Sequence, residues 1–359
     1  MTETPPTTAT VAEAPTAVPR PGDPVRLVFL FPGRAAATAG MGRALAADPA
    51  VRAGIDTQLA ALDAVVAGRV HAVLFGPPEA AAPPDAAGPA LFILEHALTR
   101  LLAGAGLVPD TVVGYGVGEV AAACAAGVLE PSDALRLAVA YGRLAADLPP
   151  TATMSVGLPP ADLTRHLPRG VRLVAVDTRE SCVVAGPEPE LRRWERDLAQ
   201  LYVACHRSAA PAAGYPDDVP ARLGPVAAAL AGTAPRTPRI RWLSTVTGRP
   251  VSADEAVDRE HWLRHPLHPV RFADAAAQLG PGDRLVEVGP GSTLTALLRQ
   301  LTPHLPTRAV LPADNAGRLP SHPDPVGTVR ALLAGTGRSE SPHLPDQTEA
   351  GVPRPGRRR

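Results

Sequence analysis

The chain has 359 residues, no Lys, and Arg and acidic residues in equal number, so its formal net charge is zero. That balance gives no support to nucleic-acid binding as the main role, and no run of about 20 apolar residues is present to span a membrane. The cysteines, Cys124, Cys182 and Cys205, show no CxxC spacing and no secretory signal precedes them, which argues for a reducing cytoplasm and against a disulfide scaffold or a metal site.

Residues 1–24 are rich in Thr, Pro, Ala and Glu without periodicity and read as a disordered arm. Order is expected from Val25 through Phe31, a continuous apolar run typical of a buried parallel strand, which stops at Pro32-Gly33. The Ala-rich segment through Leu45 should start a helix, and the prolines of 76–89 mark a loop. Pro89 suits the first turn of an apolar helix. Val112-Val113-Gly114-Tyr115-Gly116-Val117-Gly118-Glu119-Val120 then reads as a strand, a sharp glycine turn and the start of a helix through Ala126. This is the layout of a nucleophile elbow, G-x-S-x-G, with Gly116 at the serine position. Pro131-Ser132-Asp133 opens another helix, 133–147.

After Pro149-Pro150 the segments shorten: a strand Thr153–Leu158, a helix 160–167, strands Val171–Asp177 and Cys182–Ala185, a helix 187–200 and a strand Tyr202–Cys205. That order predicts a ferredoxin-like unit inserted into a larger domain. The large domain resumes at Ala209, with a helix 218–231, a strand Ile240–Val246, Ser252–Trp262 leading to a helix 271–279, and a last clear strand Arg284–Val288. The strand ends in Gly289-Pro290-Gly291-Ser292, with Ser292 as N-cap of a helix to about 301. The expected divisions are a large domain over 25–149 and 209–336, an insert over 150–208, and a disordered Arg/Pro-rich tail over 337–359. Alternating strands and helices predict a mostly parallel sheet covered on both faces. Gly33, Gly116 and Gly289 then fall at carboxyl ends of strands, where such sheets place their functional crevice.

On these residues the sequence resembles the malonyl-CoA:acyl-carrier-protein transacylase family, including acyltransferase domains of bacterial polyketide synthases. Phe31-Pro32-Gly33 with Gly40-Met41-Gly42 is similar to the family's opening motif, and 112–127 to its GHSxGE elbow and helix. Val183–Pro187, Ser244–Gly248, His261–Arg264, Pro269–Phe272 and Glu287–Gly291 match further landmarks in order. The resemblance covers about residues 25–310. It implies an α/β-hydrolase-like large domain with a parallel sheet and an inserted ferredoxin-like small domain. It also implies an acyl carrier protein as partner, with acyl-CoA and a ketosynthase as further candidates, and no metal or other cofactor.

The departures fall on the chemistry. The family's serine nucleophile falls on Gly116 and its neighbouring histidine on Tyr115. The general-base histidine falls on Tyr215, the arginine for an extender carboxylate on Tyr141, and the opening glutamine on Arg34, beside Gly33. Acyl transfer by this route needs an activated hydroxyl, a base and amide donors for the oxyanion, and only the donors survive, as the backbone N–H of Val117. Two readings of the tyrosines stand: a pocket remodelled by rings, or drift that fills the volume of lost His and Arg. With no arginine at 141, an uncharged acyl group is favoured over malonyl.

Substitute groups are few. His206 reads as a surface histidine, with a displaced base as the alternative, and Cys124 as an inert core thiol. Glu119 complements the dipole of the elbow helix. The expected protein is a free-standing pseudo-acyltransferase of polyketide or fatty-acid-like biosynthesis that serves as a carrier-protein or ketosynthase partner or starter-unit gate. The alternatives are an active acyltransferase with a relocated nucleophile or direct transfer, and an acyl-binding module.

Overall fold

The computed structural model describes residues 25–208, 212–213, 219–315 and 317–334; the expected arms 1–24 and 337–359, and Tyr215, lie outside the described residues. In chain order the strands are β1 (Arg26–Phe31), β2 (Thr111–Gly114), β3 (Pro150–Val156), β4 (Arg172–Thr178), β5 (Ser181–Gly186) and β6 (Cys205–Arg207). They continue with β7 (Ala212–Ala213), β8 (Arg241–Ser244), β9 (Arg249–Pro250), β10 (Val270–Arg271), β11 (Asp283–Pro290) and β12 (Thr307–Leu311).

The large sheet runs β12-β11-β1-β2-β8-β9. Its first five strands are parallel and β9 closes the edge antiparallel. β1 is apolar at every position after Arg26 because both of its faces are covered. Leu27, Phe29 and Phe31 pack with Val112 and Trp242 on one face, while Val28 and Leu30 pack with Val113, Leu243 and Phe272 on the other. Each such side chain contributes on the order of 1.5–3 kcal/mol by leaving water. The helix Pro84–Gly104 fills the first face and is buried along most of its length.

The small sheet runs β10-β4-β5-β3-β6, with β7 paired to β3. β3, β4, β5 and β6 with the helices Pro160–His166 and Glu188–Gln200 give the ferredoxin-like order, β3 lying antiparallel between β5 and β6. β10 comes from the large domain and joins the sheet parallel to β4, Val270 opposite Ala175 and Arg271 opposite Val176. The fold is therefore a large α/β domain carrying a small ferredoxin-like domain. No helix among the described residues is long and apolar enough to cross a membrane.

Several local expectations are corrected. The segment after Gly33 forms two short 3-10 turns, Arg34–Ala36 and Leu45–Ala47, and the first α-helix starts later, at Pro49 beneath an Asp48 cap. Pro89 lies inside a helix that starts at Pro84, because Pro84 supplies the first-turn proline and Pro83 the cap. Tyr202 belongs to a turn, with φ 56°, and the strand follows at Cys205. Ser292 flanks the helix Thr293–Leu301 but its side chain makes no capping bond. Glu287 caps that helix from β11, accepting from the amides of Leu294 (3.1 Å) and Thr295 (2.8 Å). Arg284–Val288 is not the last strand, since β12 pairs beyond it.

Candidate functional site

The turn between β2 and the helix Gly118–Ala125 is built by close approach. A Cβ on Gly114 would lie 2.3 Å from the Glu119 backbone, and one on Gly118 would lie 2.2 Å from the Phe31 carbonyl oxygen. Only glycine lets the helix start press this closely onto β1 and β2. Gly116 differs. Its φ is +54°, in the left-handed region, yet a Cβ there would meet no atom within 4 Å. The crest of the turn is thus strained for any side chain and open to one. The Gly118 amide donates to the Tyr115 carbonyl and the Glu119 amide to that of Gly116. The Val117 N–H donates to no group among the described residues, and Val117 lines the crevice.

A cavity of about 370 Å³ opens over this turn, between the carboxyl ends of the large-sheet strands and the face of the small sheet. That is within the usual range for a small-molecule site. Gly33, Arg34, Tyr115, Gly116, Val117 and Tyr141 all line it, so the structure brings together every described residue singled out from the sequence for that role. Val174, Ala175, Val183, Ala185 and Leu297 give it an apolar wall.

The tyrosines have separate tasks. Tyr141 is buried, donates its hydroxyl to the Trp262 carbonyl (2.6 Å), and packs its ring against His265 at 4.9 Å between centroids. Tyr141→Phe should leave that carbonyl unpaired in the interior, costing about 1–3 kcal/mol. The thermal midpoint should then fall by about 2–8 °C, read by differential scanning calorimetry. Tyr115 rests on Phe272, ring centroids 5.7 Å apart, and donates its hydroxyl to Asp177 Oδ1 at 2.8 Å. That bond crosses from the elbow to β4 of the small domain.

Two polar groups in the cavity carry no signal in the sequence. His265 Nε2 lies 2.7 Å from the Gly116 carbonyl oxygen. A carbonyl only accepts, so the ring carries its proton on Nε2, and Nδ1 is left buried without a partner among the described residues. Burial holds the imidazole below its usual range, so it is neutral near pH 7. The other is Asp177, whose carboxyl burial pushes up to about 6, against the lowering effect of the Tyr115 hydrogen bond.

Nearby groups are structural. Glu119 is fully buried, accepts from the Thr245 amide and hydroxyl at 3.3 and 3.4 Å, and stands 3.8 Å from His261 Nε2. It ties the elbow helix to the chain after β8. Burial pushes the thiols of Cys124 and Cys182 up to about 12 and also raises that of Cys205, so none offers a thiolate near neutral pH. His206 is exposed on β6, outside the cavity lining. It stands directly across from Ser155 of β3, which does line the cavity.

A parallel α/β domain with a glycine elbow at the carboxyl end of β2, roofed by a ferredoxin-like domain, defines an acyl-transfer scaffold. The chain belongs to the acyl transferase domain family, whose model matches residues 28–332. It is 35% identical over 274 residues, 75% of this chain, to a phenolphthiocerol/phthiocerol polyketide synthase component of Mycobacterium tuberculosis. It is 34% identical over 326 residues, 86% of this chain, to polyketide synthase GfsA of Streptomyces halstedii. These matches span only 18% and 4% of the two relatives' own lengths. Among solved structures, the acyl transferase domain of SpnD in complex with 2-(pent-4-yn-1-yl)malonyl superposes with a TM-score of 0.76 at 32% identity. That match covers 89% of this chain and 77% of the SpnD chain. The malonyl-CoA:acyl carrier protein transacylase of Xanthomonas oryzae pv. oryzae shares the fold, with a TM-score of 0.70 at 23% identity over 80% of this chain and 94% of that one.

Proposed function

We propose that this chain is a pseudo-acyltransferase of polyketide biosynthesis: it binds an acyl thioester and its carrier protein but forms no acyl-serine. The observation that carries the reading is the crest of the elbow. Gly116 leaves open space where a nucleophile would stand, while the Val117 N–H, the cavity and the elbow packing are kept. The neutral His265 donates to the Gly116 carbonyl from Nε2 while its Nδ1 is buried, so neither nitrogen is presented as a base. The role is that of a partner to an acyl carrier protein or ketosynthase, a gate for starter-unit choice in the reducing cytoplasm. The carrier partnership rests on the name of the transacylase that shares the fold.

Intact-protein mass spectrometry after incubation with malonyl-, acetyl- and propionyl-CoA, with and without carrier protein, tests this. The expected result is an unchanged mass, together with saturable acyl-CoA binding by calorimetry. A stable acyl adduct would overturn the reading. A second reading has one observation behind it: the register that sets His206 across from Ser155 puts a hydroxyl in the cavity with an imidazole on the facing strand. An adduct mapped to Ser155 and abolished by Ser155→Ala would establish a nucleophile moved to the small domain.

A further inference from the structure

The apolar wall of the cavity is interrupted by a carboxyl group, Asp177, held at the end of β4. Resting on the reading of an acyl group bound without transfer, we propose that the cavity takes an acyl thioester whose acyl part carries a protonated amine, received by Asp177. A carboxylate presents about four lone-pair positions. Among the described residues one donor reaches Asp177, the Tyr115 hydroxyl at 2.8 Å, and no arginine or histidine is paired with it. A carboxylate with unused acceptors beside apolar walls needs a donor of opposite charge, which an ammonium supplies.

The groups around Asp177 leave that role to a ligand. On β5 the Cys182 thiol is neutral, pushed up to about 12. On β10, Arg271 is committed to Asp274 at 2.7 Å. Arg179 and Glu180 follow in the exposed turn after β4. Arg34 and His265 line the same cavity, and neither pairs with Asp177. Tyr141, where the family resemblance implies a carboxylate-binding arginine, has its hydroxyl committed to a backbone carbonyl. At the Asp177 end the cavity therefore disfavours a carboxylated acyl group and favours a cationic one. Asp177, pushed up to about 6, is ionised at neutral pH and loses its charge below that value, while an alkylamine stays protonated throughout.

The test uses isosteric probes: β-alanyl-, 3-hydroxypropionyl-, propionyl- and malonyl-CoA, titrated calorimetrically near neutral pH. β-Alanyl-CoA should bind about tenfold to a hundredfold more tightly than propionyl-CoA, the range of a hydrogen bond to a charged group. The preference should vanish in Asp177→Asn and, in the unaltered protein, below about pH 6. Tyr115→Phe removes a bond that lowers the Asp177 pKa, so it should keep the preference and move its pH midpoint upward. A merely structural Asp177 would show no such shift. S-β-alanyl-pantetheine separates the sources: equal affinity assigns recognition to a carrier-borne arm, and a large loss assigns it to the CoA thioester, both within the proposal. Equal binding of β-alanyl- and propionyl-CoA, or tighter binding of malonyl- or 3-hydroxypropionyl-CoA, overturns the amine and leaves the acyl-binding reading intact. Failure of every thioester to bind overturns both.

Discussion

Gly116→Ser combined with Tyr215→His should gain an acyl mass increment at residue 116 when incubated with acetyl- or propionyl-CoA, whereas Gly116→Ser alone should stay at the blank. The reason is cooperativity between nucleophile and base. In another serine enzyme, losing either costs about as much as losing both, about 10⁶ in rate, so restoring one recovers little. Space is not the obstacle, because a Cβ at 116 meets no atom within 4 Å. The backbone costs something: at φ +54° a residue with a side chain loses roughly 1–2 kcal/mol, a penalty the native glycine avoids. Malonyl-CoA should label the double variant less than acetyl-CoA, since Tyr141 offers no cation and Asp177 adds like charge. Mass spectrometry with peptide mapping reads all three results. Labelling of Gly116→Ser to the level of the double variant would show that position 215 is not where the base belongs and that another group activates the serine.

The second large effect concerns the same turn. Gly114→Ala and Gly118→Ala should each destabilise the protein by several kcal/mol, and Gly116→Ala by only about 1–2 kcal/mol. At 114 the added methyl would lie 2.3 Å from the Glu119 backbone, and at 118 it would lie 2.2 Å from the Phe31 carbonyl and 2.5 Å from that of Pro32. The atoms in the way are backbone of buried strand and helix, which have no rotamer to escape into. At 116 only the conformation is unfavourable. Denaturant melts should separate the three variants in that order. A uniform loss across them would mean that the turn is held by something other than close approach.

Much of the architecture is legible because its signals are local. β1 and β2 announce themselves as unbroken apolar runs ending in glycine, and the small domain's order follows from short segments punctuated by proline. β12 escapes because its Arg308 and the prolines around it hide a strand that pairing, not composition, defines. The site divides the same way. Gly33, Tyr115, Gly116 and Val117 stand in glycine turns that end apolar strands, and Arg34 and Tyr141 are reached through the family resemblance. His265 and Asp177 reach the cavity across 149 and 62 residues of sequence to touch Gly116 and Tyr115, and nothing nearby marks them. Asp177 closing an apolar strand reads as a turn residue, and His265 sits among other histidines, His261 and His268.

β10 sets a mechanical limit. A large-domain segment is stitched into the small sheet beside Ala175 and Val176, one position from Asp177, and its next residue, Phe272, packs with the large-domain core while Ala273 packs with that of the small domain. The roof and floor of the cavity are thus seamed by backbone hydrogen bonds, and widening the gap between them means tearing strand pairing. Girth here is set by the side chains that stand on the two seamed faces, and trimming Leu297 or Val183 should admit a larger guest.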